Sequence, residues 1–226
     1  MRDVAVLIPA GGVGARLGGR TPKQFLRLGR EAILVATIRH FRRHPRVAAI
    51  VVAAPAAHVA RARRLLSAGV TVVAGGATRQ DSVRLALEAA PHGVPIALVH
   101  DAVRPFVTRS LVDAVLAAAR ADGAAICAVP VAETVKRVRD GLVEATVERA
   151  GLWAVQTPQA FRTEILREAH DKARRDGVAG TDDAMLVERL GHGVRVVPGL
   201  PGNVKITTPD DLRRARGARP TRRKPR

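Results

Sequence analysis

Glycines and cations are concentrated in one segment near the start of the chain, "IPAGGVGARLGGRTPKQF", residues 8–25. Five glycines fall within nine residues, and Arg16 and Lys23 stand seven residues apart. Glycine lets a backbone approach a phosphate closely, and separated cations neutralise a charge that is spread over several phosphate groups. The segment therefore favours a loop that binds a triphosphate, with exposed surface cations as the alternative.

Two common phosphate-binding motifs come close to this segment without matching it. The dinucleotide motif fails at Leu17, where its third glycine should stand, and no acidic residue ends the second predicted strand, "AIVVAAP". The P-loop fails at Arg20, where that motif has lysine, and Pro22 biases the residue before it away from the required helix. A dehydrogenase and a P-loop enzyme are therefore both disfavoured.

The elements that must position this loop are alternating strands and helices. Continuous apolar runs predict strands at 4–9, 47–53, 70–74, 95–100 and 124–130, and helical patterns at 31–43, 56–68, 78–90 and 109–121 lie between them. Continuous apolar strands are typical of a parallel sheet that is covered on both faces. The succession predicts an open doubly wound, mainly parallel sheet, which binds its ligands at the carboxyl ends of the strands.

The alternation ends at "TVKRVRDGLVEATV", residues 134–147, which reads as two short strands around Asp140-Gly141. Asp-Gly between alternating strands indicates a type I′ hairpin. We expect it to project as an arm, residues 133–153, and to pack on another surface such as a second subunit, because a lone two-stranded ribbon is marginally stable. Beyond the arm we predict helices at 163–176, 181–190 and 208–216, and strand-like segments at 193–198 and 203–207.

The formal net charge of +18 raises the possibility of nucleic-acid binding. Eight of the 38 basic residues lie in the last fourteen positions, and without them the charge falls to +10. With no Tyr, one Trp and four Phe, the chain has few side chains on which bases could stack. We expect one domain over residues 1–216 and a disordered basic tail, 217–226, that binds polyanions weakly if at all; a nucleic-acid-binding protein acting through this tail stays the alternative.

The sequence also predicts a cytoplasmic protein that does not associate with membranes. No apolar run approaches the roughly 18 residues that a membrane span needs. Residues 4–8 are too short for the core of a signal peptide. The single cysteine, Cys127, lies in the apolar run "AAICAVPV" with no base patterned beside it, so we interpret it as a buried packing residue rather than a nucleophile.

Seven segments, in order, resemble those of the 2-C-methyl-D-erythritol 4-phosphate cytidylyltransferases. They are "AGGVGARLGGRTPKQF" (10–25), "GGATRQDSVRLAL" (75–87), "LVHDAVRPFV" (98–107), "ETVKRV" (133–138), "ERAGLWAVQTPQAF" (148–161), "GTDDAMLVE" (180–188) and "GNVKITTPDDL" (202–212). The resemblance implies a Rossmann-like nucleotidyltransferase of isoprenoid precursor biosynthesis. Its reaction would be in-line attack by methylerythritol phosphate on the α-phosphorus of CTP, which gives 4-diphosphocytidyl-2-C-methyl-D-erythritol and pyrophosphate. Ribitol-5-phosphate cytidylyltransferases resemble the first 110 residues and remain the alternative.

The same resemblance implies roles for individual residues. The catalytic cations would be Arg16, Lys23 and Lys205; the nucleotide-binding residues Ala10, Gly11, Gly12, Gly14, Gly76, Ala77, Ser82, Asp101 and Ala102; and the polyol-binding residues Thr134, Arg149, Thr157, Thr181 and Arg104. Thr134 and Arg149 would serve the neighbouring subunit of a homodimer. Asp101 would hold Mg²⁺ together with the CTP phosphates, or else contact the ribose. The alternatives are that it caps the next segment or pairs with Arg104.

Overall fold

The structure is a computed structural model that describes residues 1–11, 21–66 and 68–217. The strands are β1 (Val4–Pro9), β2 (Arg27–Leu28), β3 (Glu31–Ala32), β4 (Val47–Ala54), β5 (Thr71–Ala74), β6 (Ile96–Val99), β7 (Ala124–Pro130), β8 (Val135–Arg139), β9 (Leu142–Val147), β10 (Trp153–Arg162) and β11 (Arg195–Pro198). The helices are α1 (Ile33–Arg42), α2 (Val59–Leu66), α3 (Arg79–Glu88), α4 (Arg109–Asp122), α5 (Thr163–Arg175), α6 (Asp183–Glu188) and α7 (Pro209–Gly217). The five strands and four helices predicted before the arm are all present.

The described strands build a central sheet in the order β11-β7-β10-β6-β1-β4-β5. Every neighbouring pair in it is parallel except those of β10, which runs antiparallel to both β6 and β7. The chain proceeds outward from β1 through β4 and β5 and then returns to β6 on the other side of β1. This reversal opens a crevice at the carboxyl ends of β1 and β6. The predicted open, mainly parallel doubly wound sheet is confirmed.

Helices cover both faces of this sheet because alternate residues of each strand point to opposite sides. Val6 and Ile8 of β1 pack in a core with residues of α1, α2 and α4. Ala5 and Leu7 face a second core, to which α3, α5 and α6 contribute. Buried on both sides, the strands form a rigid base for the loops at their ends.

The sequence prediction was wrong in two places. Residues 153–162, for which no strand was predicted, form β10 in the middle of the sheet. A proline argues against a central strand, but a register shift between Gln156 and Gln159 takes Pro158 out of the ladder. Residues 203–207, which were predicted as a strand, have no regular secondary structure, because their backbone bonds go to other loops, as in Ile206 N to Val103 O at 2.9 Å.

The predicted arm is confirmed as a separate two-stranded sheet formed by β8 and β9. Asp140 and Gly141 connect the strands with φ angles of 49° and 81°, the positive values that a type I′ turn requires. Val138, Leu142 and Val143 leave 55%, 75% and 61% of their surface exposed. The arm thus presents apolar side chains that the described residues do not cover.

Two further predictions concern the carboxyl-terminal part of the chain. Helix α7 begins as predicted, with Asp211 N donating to the Thr208 hydroxyl at 3.1 Å. The basic tail beyond residue 217 lies outside the described residues. Within the described ranges, no helix has the length and apolar character needed to cross a membrane.

Cys127 provides a test of the packed core. Its side chain is buried on β7, and burial raises the pKa of the thiol to about 12. We expect Ellman's reagent at mildly alkaline pH to leave the thiol of the folded protein unmodified and to label it after unfolding in urea, because only the thiolate reacts. Cys127→Ala controls for background colour. Equal labelling rates with and without urea would contradict the buried position.

Candidate active site

A cleft of about 320 Å³ lies at the carboxyl edge of the sheet, where β1 and β6 diverge. Its walls come from loops after β1, β5 and β6, from the turn at residue 23 and from the segment before α7. The lining residues are Pro9, Ala10, Gly11, Lys23, Gln24, Gly76, Ala77, Thr78, Arg79, Asp101, Ala102, Val103 and Lys205. A larger hollow of about 800 Å³, around Asp3 and Arg162, lies at the opposite edge, and none of the predicted site residues that the structure describes lines it.

Glycines line one side of the cleft because the start of α3 packs directly against them. A Cβ atom on Gly11 or Gly75 would lie 2.9 or 2.8 Å from the hydroxyl oxygen of Ser82. A Cβ on Gly76 would fall 2.2 Å from the Cβ of Asp81, which no side chain tolerates. Ser82 itself is fully buried, so it supports this glycine wall from behind.

A capping box fixes the loop that follows β5. Asp81 N donates to the Thr78 hydroxyl at 3.0 Å, and Thr78 N donates to Asp81 Oδ2 at 3.1 Å. These reciprocal bonds satisfy backbone donors at the start of α3. They hold Gly76 and Ala77 in place at the cleft, and Ser82 adds a bond from its hydroxyl to Thr78 O at 2.9 Å.

Asp101 is the electrostatic centre of the cleft. It follows β6, is 6% exposed and lies within ion-pair distance of three cations. Its Oδ2 is 3.0 Å from Lys205 Nζ and 3.2 Å from Arg104 Nε, and its Oδ1 is 3.5 Å from Arg79 Nε. Burial alone would raise the pKa of Asp101, but the three cations outweigh it and hold that pKa well below its usual range. The carboxyl group is therefore ionised at neutral pH.

A buried histidine and a threonine fix the backbone beneath Asp101. His100 Nε2 donates to Arg104 O at 3.0 Å, so its Nδ1 accepts from the Thr157 hydroxyl at 3.1 Å. That hydroxyl in turn accepts from Asp101 N at 3.0 Å. Burial lowers the pKa of His100 to about 4, which keeps the ring neutral as this bonding pattern requires. Thr157, expected to bind the polyol, uses its hydroxyl to position Asp101.

A buried aspartate, Asp183, holds Arg79 at the cleft. Asp183, at the start of α6, accepts from Arg79 Nη1 at 2.7 Å and from His170 Nε2 at 2.9 Å. Burial raises the pKa of Asp183, but Arg79 and His170 outweigh it and the pKa lies below its usual value. Neither Asp183 nor His170 was predicted from the sequence to support the site. The quoted segment "GTDDAMLVE" contains the aspartate, but its partner on α5 is not recognisable from spacing.

The remaining predicted residues lie apart from the cleft or outside the described ranges. Thr134, Arg149 and Thr181 are exposed and do not line the cleft formed by the described residues. Arg149 donates to Ala132 O, and the Thr181 hydroxyl lies 3.7 Å from Met185 Sδ. Gly12, Gly14 and Arg16 fall in a part of the glycine-rich segment that the structure does not describe.

Comparison with known proteins decides the family. Residues 4–218 match the family model described as IspD, 2-C-methyl-D-erythritol 4-phosphate cytidylyltransferase. The chain belongs to this family. The cytidylyltransferase of Salinibacter ruber is 50% identical over 223 residues, covering 96% of this chain and 93% of its own. That of Symbiobacterium thermophilum is 50% identical over 214 residues, covering 94% and 91%.

Solved structures agree with this assignment. The crystal structure of the Thermus thermophilus enzyme has 42% identity and a TM-score of 0.82, covering 94% of this chain and 96% of its own. The Francisella tularensis enzyme has 32% identity and a TM-score of 0.84, covering 94% and 98%. The protein of this chain transfers the cytidylyl group of CTP to 2-C-methyl-D-erythritol 4-phosphate and forms the cytidylylated polyol of the isoprenoid pathway. The family match favours this activity over the alternative, ribitol-5-phosphate cytidylyltransferase.

The buried Arg79–Asp183 pair predicts a pH-dependent stability. Because the Asp183 pKa is lowered by folding, the pair stabilises the protein above the pKa of the unfolded carboxyl group, and this contribution is lost as the pH falls through the folded value. We expect Asp183→Asn to lower the free energy of unfolding by roughly 3 kcal/mol near pH 6, the order of cost for breaking a buried pair. This gap, the difference in unfolding free energy between wild type and variant, should narrow toward pH 3.

Urea denaturation over a pH series measures this gap. Asp176→Asn is the matched control, because Asp176 pairs with Lys172 on the exposed side of α5 and should cause little change at any pH. A gap of equal size at pH 3 and pH 6 would contradict an ionised Asp183.

Proposed function

We propose that CTP lies in this cleft with its nucleoside against the glycine wall and its triphosphate against Lys23, Arg16 and Lys205. An oxygen of the methylerythritol phosphate attacks the α-phosphorus in line, and pyrophosphate leaves. The transfer is direct, without a covalent enzyme intermediate, so catalysis consists of positioning and charge stabilisation.

The feature that carries this proposal is the balance of charge at the cleft. Lys23, Arg79 and Lys205 line it, and Arg104 lies directly beside it on Asp101. Among the described lining residues, Asp101 is the one acidic side chain. An excess of cations in a partly desolvated site at the carboxyl ends of strands suits a triphosphate and the charge that develops on it.

Asp101 fixes the positions of three of these cations, Arg79, Arg104 and Lys205. Lys205 is on a segment without regular secondary structure, and its side chain is 39% exposed. Its ion pair with Asp101 places the ammonium group at the cleft while leaving part of it open to a ligand. A cation that is already in place does not have to be ordered during the reaction, which is the advantage of a preorganised site.

The cleft fits a magnesium ion that arrives with the triphosphate. The described residues contain no cluster of three or more metal-ligating side chains, so they do not build a closed metal cage. Oδ1 of Asp101 lies 3.5 Å from Arg79 Nε, a long contact that leaves this oxygen able to accept a metal. Magnesium typically takes one or two carboxylates together with phosphates and water. When bound, it would neutralise charge on the pyrophosphate leaving group, with Asp101 as its protein ligand.

We further propose a homodimer in which the arm of one subunit reaches the cleft of the other. The exposed apolar residues of the arm continue onto the exposed part of β10, where Trp153 and Val155 are 42% and 43% exposed. An apolar surface of this kind marks an interface. Arg149 is exposed and lies in the chain between the arm and β10, and its guanidinium offers planar, bidentate recognition of a phosphate. We also propose a cytoplasmic location, because the reaction consumes CTP. Residues 1–216 would form one domain.

Lys23→Ala tests the cage of cations, Arg16, Lys23 and Lys205, that we propose around the triphosphate. We expect kcat to fall by roughly 10²–10³, because one donor is lost from a preorganised anion site. The measurement is steady-state release of pyrophosphate from CTP with and without methylerythritol phosphate. Lys172→Ala, which removes a lysine from the exposed face of α5, is the matched control and should keep wild-type turnover. A loss below about threefold in the Lys23 variant would remove Lys23 from the cage.

Hybrid dimers test the shared site. Mixing Arg149→Ala subunits with Lys23→Ala subunits gives hybrids in which one site has both residues intact. With random exchange, about a quarter of wild-type activity should return, since half of the dimers are hybrids with one working site each. The control is each variant exchanged with itself. If differently tagged subunits are shown to co-purify and no activity returns, the two residues do not serve a common site.

A further inference from the structure

We infer that Asn203 and Gln156 are positioning residues for the transfer step, because a clamp formed by their side-chain amides holds Lys205 at Asp101. The inference rests on the proposed role of Lys205 in the cage of cations. Both residues lie in segments that carry the family resemblance, but the resemblance assigned no role to either of them.

The segment that carries Lys205 requires such support. Residues 199–208 lie outside helices and strands, so no regular hydrogen-bond ladder fixes the lysine. Backbone bonds secure the two ends, from Gly199 N to Ala128 O at 2.7 Å and from Ile206 N to Val103 O at 2.9 Å. Between these ends, Asn203 N donates to Leu200 O at 2.9 Å, but this bond lies within the segment itself. Side-chain contacts therefore help to determine where the segment lies relative to the cleft.

The clamp supplies this support from strand β10. Gln156 Nε2 donates to Leu200 O at 2.9 Å, and its Oε1 accepts from Leu200 N at 3.3 Å. Asn203 Nδ2 donates to the same Oε1 at 3.2 Å and to Thr157 O at 2.8 Å. Asn203 is fully buried and Gln156 is 8% exposed. Because both partners of Asn203 Nδ2 are acceptors, the orientation of this amide is determined.

Asn203 is also connected to the charges of the cleft. The backbone carbonyl of Asn203 accepts from Arg104 Nη1 at 2.7 Å. Arg104 Nε lies 3.2 Å from Asp101 Oδ2, and Asp101 also pairs with Lys205. Thr157 closes the connection, since its carbonyl accepts from Asn203 while its hydroxyl accepts from Asp101 N. A shift of Asn203 would therefore move the lysine and the carboxylate that anchors it.

The packing around the clamp leaves little room for adjustment. A Cβ on Gly199 would lie 2.7 Å from Gln156 Oε1 and 3.0 Å from Ala128 O. Gly199→Ala therefore displaces the clamp while keeping all of its hydrogen-bonding groups. This variant provides a second test that does not alter Asn203.

The first experiment is Asn203→Asp, which keeps the size of the side chain but places an oxygen against two acceptors. We expect kcat to fall by about 10²-fold, as for a catalytic group displaced by about 1 Å, with a smaller rise in KM for CTP. His44→Gln is the folding control, since it removes a buried hydrogen-bonding side chain that pairs with Asp113 at 3.0 Å, away from the cleft. We expect His44→Gln to keep the wild-type kcat while its melting temperature falls by about as much as that of Asn203→Asp. Wild-type kcat in both Asn203→Asp and Gly199→Ala would overturn the inference.

A double-mutant cycle with Lys205→Ala separates positioning from general stability. If the clamp acts through Lys205, Asn203→Asp should lower kcat by less than about threefold once the lysine is gone. A further loss of about tenfold or more would mean that the clamp acts independently, and would overturn the inference. Wild-type kcat in Lys205→Ala alone would instead refute the proposed cage. If Asn203→Asp does not fold, Gly199→Ala takes its place in the cycle.

Discussion

The ion cluster around Asp101 is the constraint on which the rest of the site depends. An isolated carboxylate at this depth would incur a large desolvation penalty, and three cations in a partly enclosed cleft would repel one another. The attraction between the carboxylate and the three cations offsets both of these costs. The cluster still has an excess of positive charge for an anionic ligand. Each cation comes from a different place: Arg79 from α3, Arg104 from the loop after β6, and Lys205 from the segment before α7.

Strand β10 connects this cluster to the remainder of the molecule. Its antiparallel course between β6 and β7 places Gln156 and Thr157 directly beside Asp101 and Asn203. The same strand begins at Trp153, on the exposed apolar surface next to the arm. One continuous backbone therefore runs from the surface proposed for the second subunit to the residues that hold the cleft in order.

The sequence was most informative where a local pattern determines the structure. Apolar strands, the Asp140-Gly141 turn and the Thr208 cap were all predictable, since hydrophobic periodicity, positive φ angles and capping act over a few residues. It was least informative for β10, because Gln156, Thr157 and Pro158 interrupt the apolar pattern. Their burial is favourable only because partners distant in sequence, such as Asn203 and His100, satisfy their polar groups.

The sequence by itself determined the fold class and the family resemblance. It also predicted the types of residue that we propose for binding a triphosphate: glycines for close approach, and lysines such as Lys23 and Lys205 for charge. Only the tertiary structure decided how these residues are held. It assigned Thr157 to the support of Asp101, brought Asp183 and His170 behind Arg79, and showed Lys205 on a loop clamped by side chains. The physical reason is that residue type fixes chemistry locally, whereas burial and ion pairing depend on which distant segments the sheet brings together.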